Sequence, residues 1–431
     1  MYAYRGPVRS STGAAIAAVV MLPLLSVGSS PAASGTGDEA AAATAGNAGR
    51  IALHRWSTNR AWRSGLRQGV AATGGEIRIH RPVATRGYRA PFGDGKRRQY
   101  DLGRWTSRHV TPGFGVRELI ASWNATTPRG TWVEIAARGR LSGGSSGSWD
   151  VLGRWSAGDR TFRRTSAGAQ PDDYSSVNVD TLVTDNRRRY VSWQLRVTLL
   201  RLAGTTRTPT VASIGAVASR LPARSDVATS ATGMHRRIDI DVPRYSQMIH
   251  TGEYPQWDGG GEAWCSPTST SMVLAYWRRG PTRQQYAWVD NSYAQPWVDH
   301  AARHTFDYRY HGAGNWPFNT AYAGTFGLDA YATRLRSLRS AEAFIRNGIP
   351  LVASIAFGQG ELDRAPIGSS AGHVLVIRGF TAAGDVIVND PAAARSRGVR
   401  RVYDRSQFED AWIPTTGGVV YVIRPPRVRL P

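Results

Sequence analysis

The chain has 431 residues and a formal net charge of +23, from 54 lysines and arginines against 31 acidic residues. A charge of this size can indicate a nucleic-acid partner. However, Lys96 is the only lysine, and the arginines are spread along the chain without a long basic run. The sequence also carries no zinc-finger or RNA-binding signature. We therefore expect no nucleic-acid binding, and weak attraction to an anionic cell envelope fits the dispersed charge better.

Residues 1–34 have the pattern of a secretory signal peptide. Arg5 and Arg9 precede an apolar run from Ala14 to Val27, and small residues follow that run. The run is shorter than the roughly 20 residues that a membrane-spanning helix needs. We therefore predict a secreted, extracellular protein, free or associated with the cell envelope, with no stable membrane span after signal removal. Retention of the segment as an N-terminal anchor is the alternative.

The length predicts two domains after this segment. Residues 35–49 are rich in Ala and Gly, which predicts a flexible tether. Residues 50–220 contain short alternating segments separated by turn residues, and this pattern favours an all-β sandwich. Residues 221–235 are rich in small and turn-forming residues and predict a linker. Alternating helix and strand patterns over residues 236–431 predict an α+β or α/β domain.

Tryptophans recur in the predicted sandwich, and Trp105, Trp155 and Trp193 fall on its strands. Such residues are typical of the interior, because buried aromatic side chains dominate sandwich cores. The alternative is a binding surface on which exposed tryptophans stack sugars. In that case a cell-envelope glycan is the partner of this domain.

Cys265 is the only cysteine, so it cannot belong to an internal disulfide. Exported proteins usually use cysteines in disulfides, and a single thiol suggests that the thiol itself has a use. Ser266 as N-cap and Pro267 at the first helical position predict a helix directly after Cys265. Its apolar residues Met272 and Val273, with others three and four positions on, predict one buried face. The N-terminus of a helix favours a thiolate, although a cysteine merely packed under a helix is the alternative.

A cysteine nucleophile needs a base and a group that orients the base. His373 opens a hydrophobic strand and is the best base, and a return strand ends at Asp390. If the connecting loop holds four residues, Phe380 pairs with Asp385 and Asp390 lies on the face of His373. A three-residue loop would place the two on opposite faces. Asn389 is then the substitute orienting residue.

The oxyanion of an acyl-transfer reaction needs hydrogen-bond donors. Gln247 is the first choice, Gln256 the second, and the backbone N–H of Cys265 an additional donor. His300 and His304 have the spacing of two metal ligands on one helix face, but no clear third ligand accompanies them. A solvated helix face is therefore the preferred interpretation, and we predict neither a metal nor a cofactor.

At these residues the sequence resembles a known family. The order Gln, Cys-x-Pro at a helix start, Gly-His followed by Gly-Phe, and Asn-Asp-Pro is similar to the double-glycine-peptidase-like cysteine peptidases, which include the bacteriocin-processing peptidases. The resemblance covers roughly residues 238–426 and implies a papain-like fold. It implies Cys265 as nucleophile, His373 as general base, Asp390 as orienting residue and Gln247 as oxyanion donor. Ser266 replaces the usual glycine, and the spacing from Gln247 to Cys265 is longer than usual.

These observations favour a secreted papain-like cysteine peptidase that cleaves peptide bonds through a thioester acyl-enzyme. Lys96 is followed by Arg97 and these 431 residues contain no Walker motif, so we expect no peptidase fused to an export ATPase. The alternatives are a cell-wall peptide amidase or endopeptidase, and a non-catalytic protein that binds glycan or envelope. All candidate catalytic residues follow the linker. We therefore expect a chain truncated near Met234 to cleave small peptides without the sandwich.

Overall fold

Twenty β-strands and seven α-helices make up the regular structure of residues 49–171, 173–185, 187–222 and 227–431, which the computed structural model describes. The predicted signal peptide and residues 35–48 of the predicted tether lie outside these ranges. In the described part of the chain, no helix is both long enough and apolar enough to cross a bilayer. With these strands and helices, the described part of the protein is mostly β-sheet with few helices.

The N-terminal half contains thirteen strands and one short helix. In chain order these are β1 (Arg50–Trp56), α1 (Asn59–Ser64), β2 (Leu66–Gln68), β3 (Val70–Thr73), β4 (Glu76–Ile79), β5 (Ala84–Arg89), β6 (Arg97–Thr106), β7 (Glu118–Thr126), β8 (Thr131–Arg140), β9 (Asp150–Trp155), β10 (Ser175–Asn178), β11 (Thr181–Thr184), β12 (Ser192–Leu202) and β13 (Thr210–Arg220).

These strands form two antiparallel sheets. One has the order β10-β11-β7-β13-β4-β3, with β1 also paired to β13, and the other has the order β2-β6-β12-β8-β9, with β5 also paired to β6. The sheets meet through tryptophans, because the ring of Trp56 on β1 lies 5.3 Å from that of Trp105 and 5.9 Å from that of Trp193. Trp105, Trp155 and Trp193 are at most 1% exposed. Their assignment to the core is confirmed, and none of the three is available for stacking on a sugar.

The C-terminal half contains seven strands and six helices. In chain order these are β14 (Ile238–Asp239), α2 (Cys265–Tyr276), α3 (Arg283–Tyr286), α4 (Pro296–Thr305), α5 (Trp316–Gly324), β15 (Asp329–Arg334), α6 (Leu338–Arg346), β16 (Leu351–Phe357), β17 (Ser370–Phe380), β18 (Val386–Asn389), β19 (Arg400–Tyr403), α7 (Arg405–Thr416) and β20 (Val419–Arg424). Short 3-10 helices at Gln247–His250 and Gly261–Ala263 precede α2.

One antiparallel sheet organises this half, in the order β15-β20-β16-β17-β18-β19 with β14 also paired to β17. Side chains of a strand alternate between its two faces. Val374 and Val376 of β17 accordingly pack in the same core as Met272 of α2, whereas Leu375 and Ile377 pack in the core that contains residues of α6 and α7. Helices thus cover both faces of the sheet, and α2 lies across the strand that carries His373.

The two halves share a buried polar contact between β7 and β15. The side chain of Asn124 donates to the carbonyl of Ala330 at 2.8 Å and accepts from its N–H at 3.2 Å, and Ser122 accepts from the N–H of Ala332 at 2.8 Å. Three ion pairs also join the two halves. They are Arg334 with Glu118, Arg55 with Asp329, and Arg303 with Asp159.

Apolar packing joins the halves as well. The ring of Phe318 on α5 lies 6.1 Å from that of Trp123 and 5.5 Å from that of Trp155. The predicted linker is itself held in place where it is described, because Glu409 accepts from the N–H and the hydroxyl of Ser230. The described residues of both halves belong to one compact unit.

Because the two halves share this interface, we expect a chain truncated to residues 234–431 not to fold stably. This differs from the prediction made from the sequence, in which the truncated chain cleaves small peptides. Removal of the first half exposes Phe318 and the apolar residues beside it, and each large side chain that loses its burial costs about 1.5–3 kcal/mol. The truncated chain should aggregate or melt well below the intact protein in a circular dichroism scan. A folded truncated chain with full activity on small peptides would show that the interface is dispensable.

Candidate active site

The only cysteine is the first residue of α2. The predicted N-cap was wrong, because Trp264 occupies the cap position and the Ser266 hydroxyl instead lies 2.9 Å from that of Tyr421. The single apolar face was wrong too, since residues 266–274 are all buried and the helix runs through the interior. The half-buried Cys265 thus stands at the N-terminal, positive end of the helix dipole.

His373 lies between the thiol and a carboxylate. Its Nε2 is 2.8 Å from Oδ1 of Asp390, and its ring is also within hydrogen-bonding reach of the Cys265 thiol. Because Asp390 occupies Nε2, Nδ1 is the ring atom that remains for the sulfur. His373 and Asp390 are 3% and 0% exposed. The structure therefore brings the three predicted residues together in the order cysteine, histidine, aspartate.

The hairpin reaches this arrangement by a different route from the one expected. Phe380 pairs with Val386 rather than Asp385, so five residues separate the paired positions. A register shift at Arg378 inserts one extra residue into β17, after which Val376 pairs with Asn389. The inserted residue offsets the longer loop, so Asp390 still follows the position opposite Val376, as the four-residue loop predicted. The side chain of Arg378 is held by Asp239 at 2.8 Å.

Asn389, the substitute orienting residue, has other partners. Its amide nitrogen donates to the carbonyls of Val242 and Pro243, at 3.1 and 3.0 Å, and its oxygen accepts from Arg378 at 3.1 Å. These bonds tie β18 to the segment that leads out of β14. Asn389 therefore fixes the backbone around the site, and the imidazole is held by Asp390 instead.

Asp390 receives hydrogen bonds from two donors besides His373. The Tyr403 hydroxyl donates to Oδ2 at 2.7 Å, and the Ala392 N–H donates to Oδ1 at 3.0 Å. Burial by itself raises the pKa of this carboxyl, but the imidazole and these donors hold it below the ordinary value. Burial by itself lowers the pKa of His373, but Asp390 and the Cys265 contact raise it to about 10. The buried pair therefore favours an imidazolium beside a carboxylate.

Tyr403 was not singled out from the sequence. It ends β19, and β19 pairs with β18, so its position depends on a strand pairing between two short segments. The only available signal was an aromatic residue in an alternating segment shortly after Asn-Asp-Pro. That pattern is too common in buried strands to identify a partner for a carboxylate.

Gln247 begins the first 3-10 helix and is 3% exposed. Its side-chain nitrogen donates to the carbonyl of Glu262 at 2.6 Å, three residues before Cys265. The amide carries a second N–H, and the N–H of Cys265 has no intrahelical acceptor because it begins the helix. Gln256, by contrast, has an exposed side chain. Of the two glutamines, Gln247 is thus the one packed against the segment that delivers the thiol.

The pair His300 and His304 does not form a solvated helix face, so that interpretation was wrong. His300 is 5% exposed and lies 2.9 Å from the Tyr322 hydroxyl, and the two imidazole rings stack at 3.9 Å. Burial lowers the pKa of His300 to about 2 and that of His304 to about 4. Both are neutral packing residues of α4, near the bond that Arg164 donates to the carbonyl of Arg303.

Comparison with protein families accounts for both halves of the chain. Residues 239–420 match the model of the Peptidase_C39 like family. Residues 239–420 are a Peptidase C39-like domain. Residues 52–219 match the family described as Peptidase C39 N-terminal domain. The resemblance to the double-glycine-peptidase-like cysteine peptidases is thereby confirmed.

Comparisons with individual proteins give weaker similarity. No curated protein matches it. A solved fragment of Prevotella intermedia prointerpain A is 14% identical over 47% of this chain and 77% of its own, with a TM-score of 0.27. A solved carbohydrate-binding module of the β-sandwich superfamily is 8% identical over 38% of this chain and 56% of its own, with a TM-score of 0.17. Scores this low support no argument about fold or function.

Proposed function

We propose that the protein is a secreted cysteine peptidase with a Cys265–His373–Asp390 triad. The observation that carries the proposal is the thiol at the start of a buried helix, in contact with an imidazole whose other nitrogen is bound by a buried carboxylate. A Peptidase C39-like domain over the same residues supports a cysteine peptidase. The apolar run after Arg5 and Arg9 supports an exported protein, and the family of the C-terminal domain supports peptide or protein substrates.

The proposed architecture is an N-terminal β-sandwich followed by a papain-like α+β domain. Two antiparallel sheets that share buried tryptophans support the first part. A central helix that begins at the nucleophile and packs on the strand of the histidine supports the second.

In the proposed reaction, the Cys265 thiolate attacks the carbonyl carbon of the scissile peptide bond. The resulting oxyanion accepts hydrogen bonds from the Cys265 N–H and from the side-chain amide of Gln247. His373, protonated at Nδ1, donates that proton to the leaving amine as the C–N bond breaks and a thioester forms. The same nitrogen then takes a proton from water while the water oxygen attacks the thioester carbonyl. The C–S bond breaks, the acyl group leaves as a carboxylic acid, and the thiolate and the imidazolium are restored. Asp390 keeps the ring oriented through Nε2 throughout.

The buried tryptophans weigh against a non-catalytic glycan-binding protein. Sugar recognition by stacking requires an accessible aromatic face, and the three tryptophans considered for it are in the core. Trp149 is partly exposed, but the guanidinium groups of Arg138 and Arg196 lie 4.6 and 4.4 Å from its rings. Peptides of the cell envelope remain suitable substrates, because an arginine-rich surface attracts an anionic envelope.

Alkylation tests the state of the thiol without knowledge of the substrate. Cys265 is the only cysteine, so one iodoacetamide adduct on the intact chain reports this residue alone. At about pH 5.5 a free cysteine, with a pKa of about 8.5, reacts slowly. We expect the folded protein to react faster than its urea-unfolded form at this pH, because the imidazolium stabilises the thiolate. His373→Ala should remove the difference. Equal rates for folded and unfolded protein would contradict the proposed ion pair.

A further inference from the structure

A second cluster of titratable side chains lies outside the triad. His250 ends the first 3-10 helix, Glu253 follows in the next loop, and Asp299 belongs to α4. Nδ1 of His250 is 2.6 Å from Oε2 of Glu253 and 3.5 Å from Oδ2 of Asp299. One ligand atom from each residue lies within 4.8 Å of the other two. Residues 49 apart in the sequence thus converge with one nitrogen and two carboxylates.

The cluster is buried and incompletely satisfied. Asp299 is 0% exposed, and apart from the His250 contact neither of its oxygens accepts a hydrogen bond in the described residues. Arg303, one turn along the same helix, is paired with Asp159 instead. Two buried carboxylates without a cation are unfavourable, and buried polar groups normally have partners.

We propose that His250, Glu253 and Asp299 bind a divalent transition-metal cation of the Zn²⁺ class. A neutral imidazole with two carboxylates carries a charge of −2, which a dication balances. The imidazole nitrogen favours Zn²⁺ over Ca²⁺ or Mg²⁺, which take oxygen ligands. Three protein ligands leave a fourth tetrahedral position for water.

The proposed cation would stabilise the segment that directly precedes Cys265. The ring of Trp264, directly before Cys265, lies 5.9 Å from the His250 ring, and its N–H donates to the carbonyl of Trp257 at 2.6 Å. Gln247 belongs to the same 3-10 helix as His250. A cation held between this loop and α4 would therefore stabilise the approach to Cys265 without taking part in the reaction.

The competing explanation is a proton shared between the carboxyls. In the absence of a cation, burial, followed by the charge of Glu253, raises the pKa of Asp299 to about 8. A proton between Glu253 and Asp299 would then replace the metal. The two explanations differ in whether the folded chain binds one equivalent of Zn²⁺ at this place.

The test uses the purified chain after treatment with a chelator. Zn²⁺ titrated in a calorimeter should bind at one equivalent and raise the melting temperature by several degrees. Co²⁺, as a spectroscopic probe, should give visible d–d absorption and quench part of the tryptophan fluorescence, because Trp264 is close to the cluster. None of these readouts depends on peptidase activity, so they are independent of the proposed function.

Loss of a residue that only bonds a metal ligand weakens metal binding by roughly 10–100-fold. Asp299 is proposed as a direct ligand, so Asp299→Asn should weaken Zn²⁺ binding by more than that. Asp290→Asn is the matched control, because Asp290 is an exposed acid that lies before α4 and whose side chain accepts hydrogen bonds only from Ser292. If Asp299→Asn does not fold, Glu253→Gln, at the more accessible ligand, replaces it. A folded wild type that binds no Zn²⁺, or binding that survives the ligand variants, overturns the proposal.

Discussion

Cys265→Ala is expected to abolish peptide hydrolysis while leaving the fold intact. Loss of the nucleophile from a triad lowers kcat by about 10⁶-fold, since the remaining groups have no atom to acylate. The stability cost should be small, at most about 1 kcal/mol, because only one half-buried sulfur is removed and far less volume is lost than in a Leu→Ala change. Turnover of a peptide library, followed by mass spectrometry, and a thermal melt measure the two effects.

Cys265→Ser and Ser292→Ala serve as controls for this variant. The serine keeps the size of the side chain but offers a much weaker nucleophile, so it should be nearly as inactive. Ser292 is an exposed loop residue that bonds Asp290, and its truncation should leave turnover unchanged. Wild-type activity in Cys265→Ala would remove the thiol from the mechanism.

Asp390→Asn should lower turnover by about 10⁴-fold, the effect of the same change in other triads. The carboxylate accepts from His373, Tyr403 and the Ala392 N–H, whereas an amide has only one acceptor oxygen. Either the imidazole or the tyrosine then loses its partner. Because the site is fully buried, this loss should also cost about 1–3 kcal/mol of stability.

Asp385→Asn is the matched control for this change. It makes the same substitution on the same hairpin, at a partly exposed carboxylate whose side chain contacts only Thr381 at 3.5 Å. Its turnover should equal that of the wild type. If Asp390→Asn also retained normal turnover, another group would have to orient His373.

The stability difference between wild type and Asp390→Asn should depend on pH. The pKa of His373 is raised to about 10, so its contribution is complete below its ordinary value of 6.5 and is lost as pH rises toward 10. The pKa of Asp390 is lowered, although burial opposes this, so its contribution is present above the ordinary 3.8 and is lost as pH falls below it. Denaturant unfolding at several pH values should therefore give the largest difference between about pH 4 and 6.5.

Local patterns predicted the elements of the site. A proline near a helix start, a glycine-histidine pair before an apolar strand, and a turn before the return strand each act over a few residues. Trp193, Leu195, Val197 and Leu199 alternate in β12 and are buried in one core cluster, in agreement with the two-residue period of a strand. Such features depend on side-chain periodicity and backbone preference, which the sequence displays directly.

Features that depend on distant contacts were not predictable. The register shift at Arg378 requires Asp239, 139 residues away, to hold its guanidinium. The Asn124 side chain bonds the backbone of Ala330, 206 residues away, and this is one of several contacts that join the two halves. His300 is buried against Tyr322 of α5, and Arg164 and Asp159 of the N-terminal half bond α4 at Arg303, so the burial of this helix also depends on distant contacts.

The most direct test of the central claim is a search for the acyl-enzyme. The protein is mixed with a peptide active ester at mildly acidic pH and quenched in acid within milliseconds to seconds. Its intact mass is then measured by mass spectrometry. We predict a mass increase of one acyl group that maps to Cys265 after digestion and is released by hydroxylamine, as a thioester is. The adduct should be absent from Cys265→Ser under the same conditions and should accumulate slowly in Asp390→Asn. An active enzyme with no adduct on Cys265, or with its acyl group on another residue, would contradict the account.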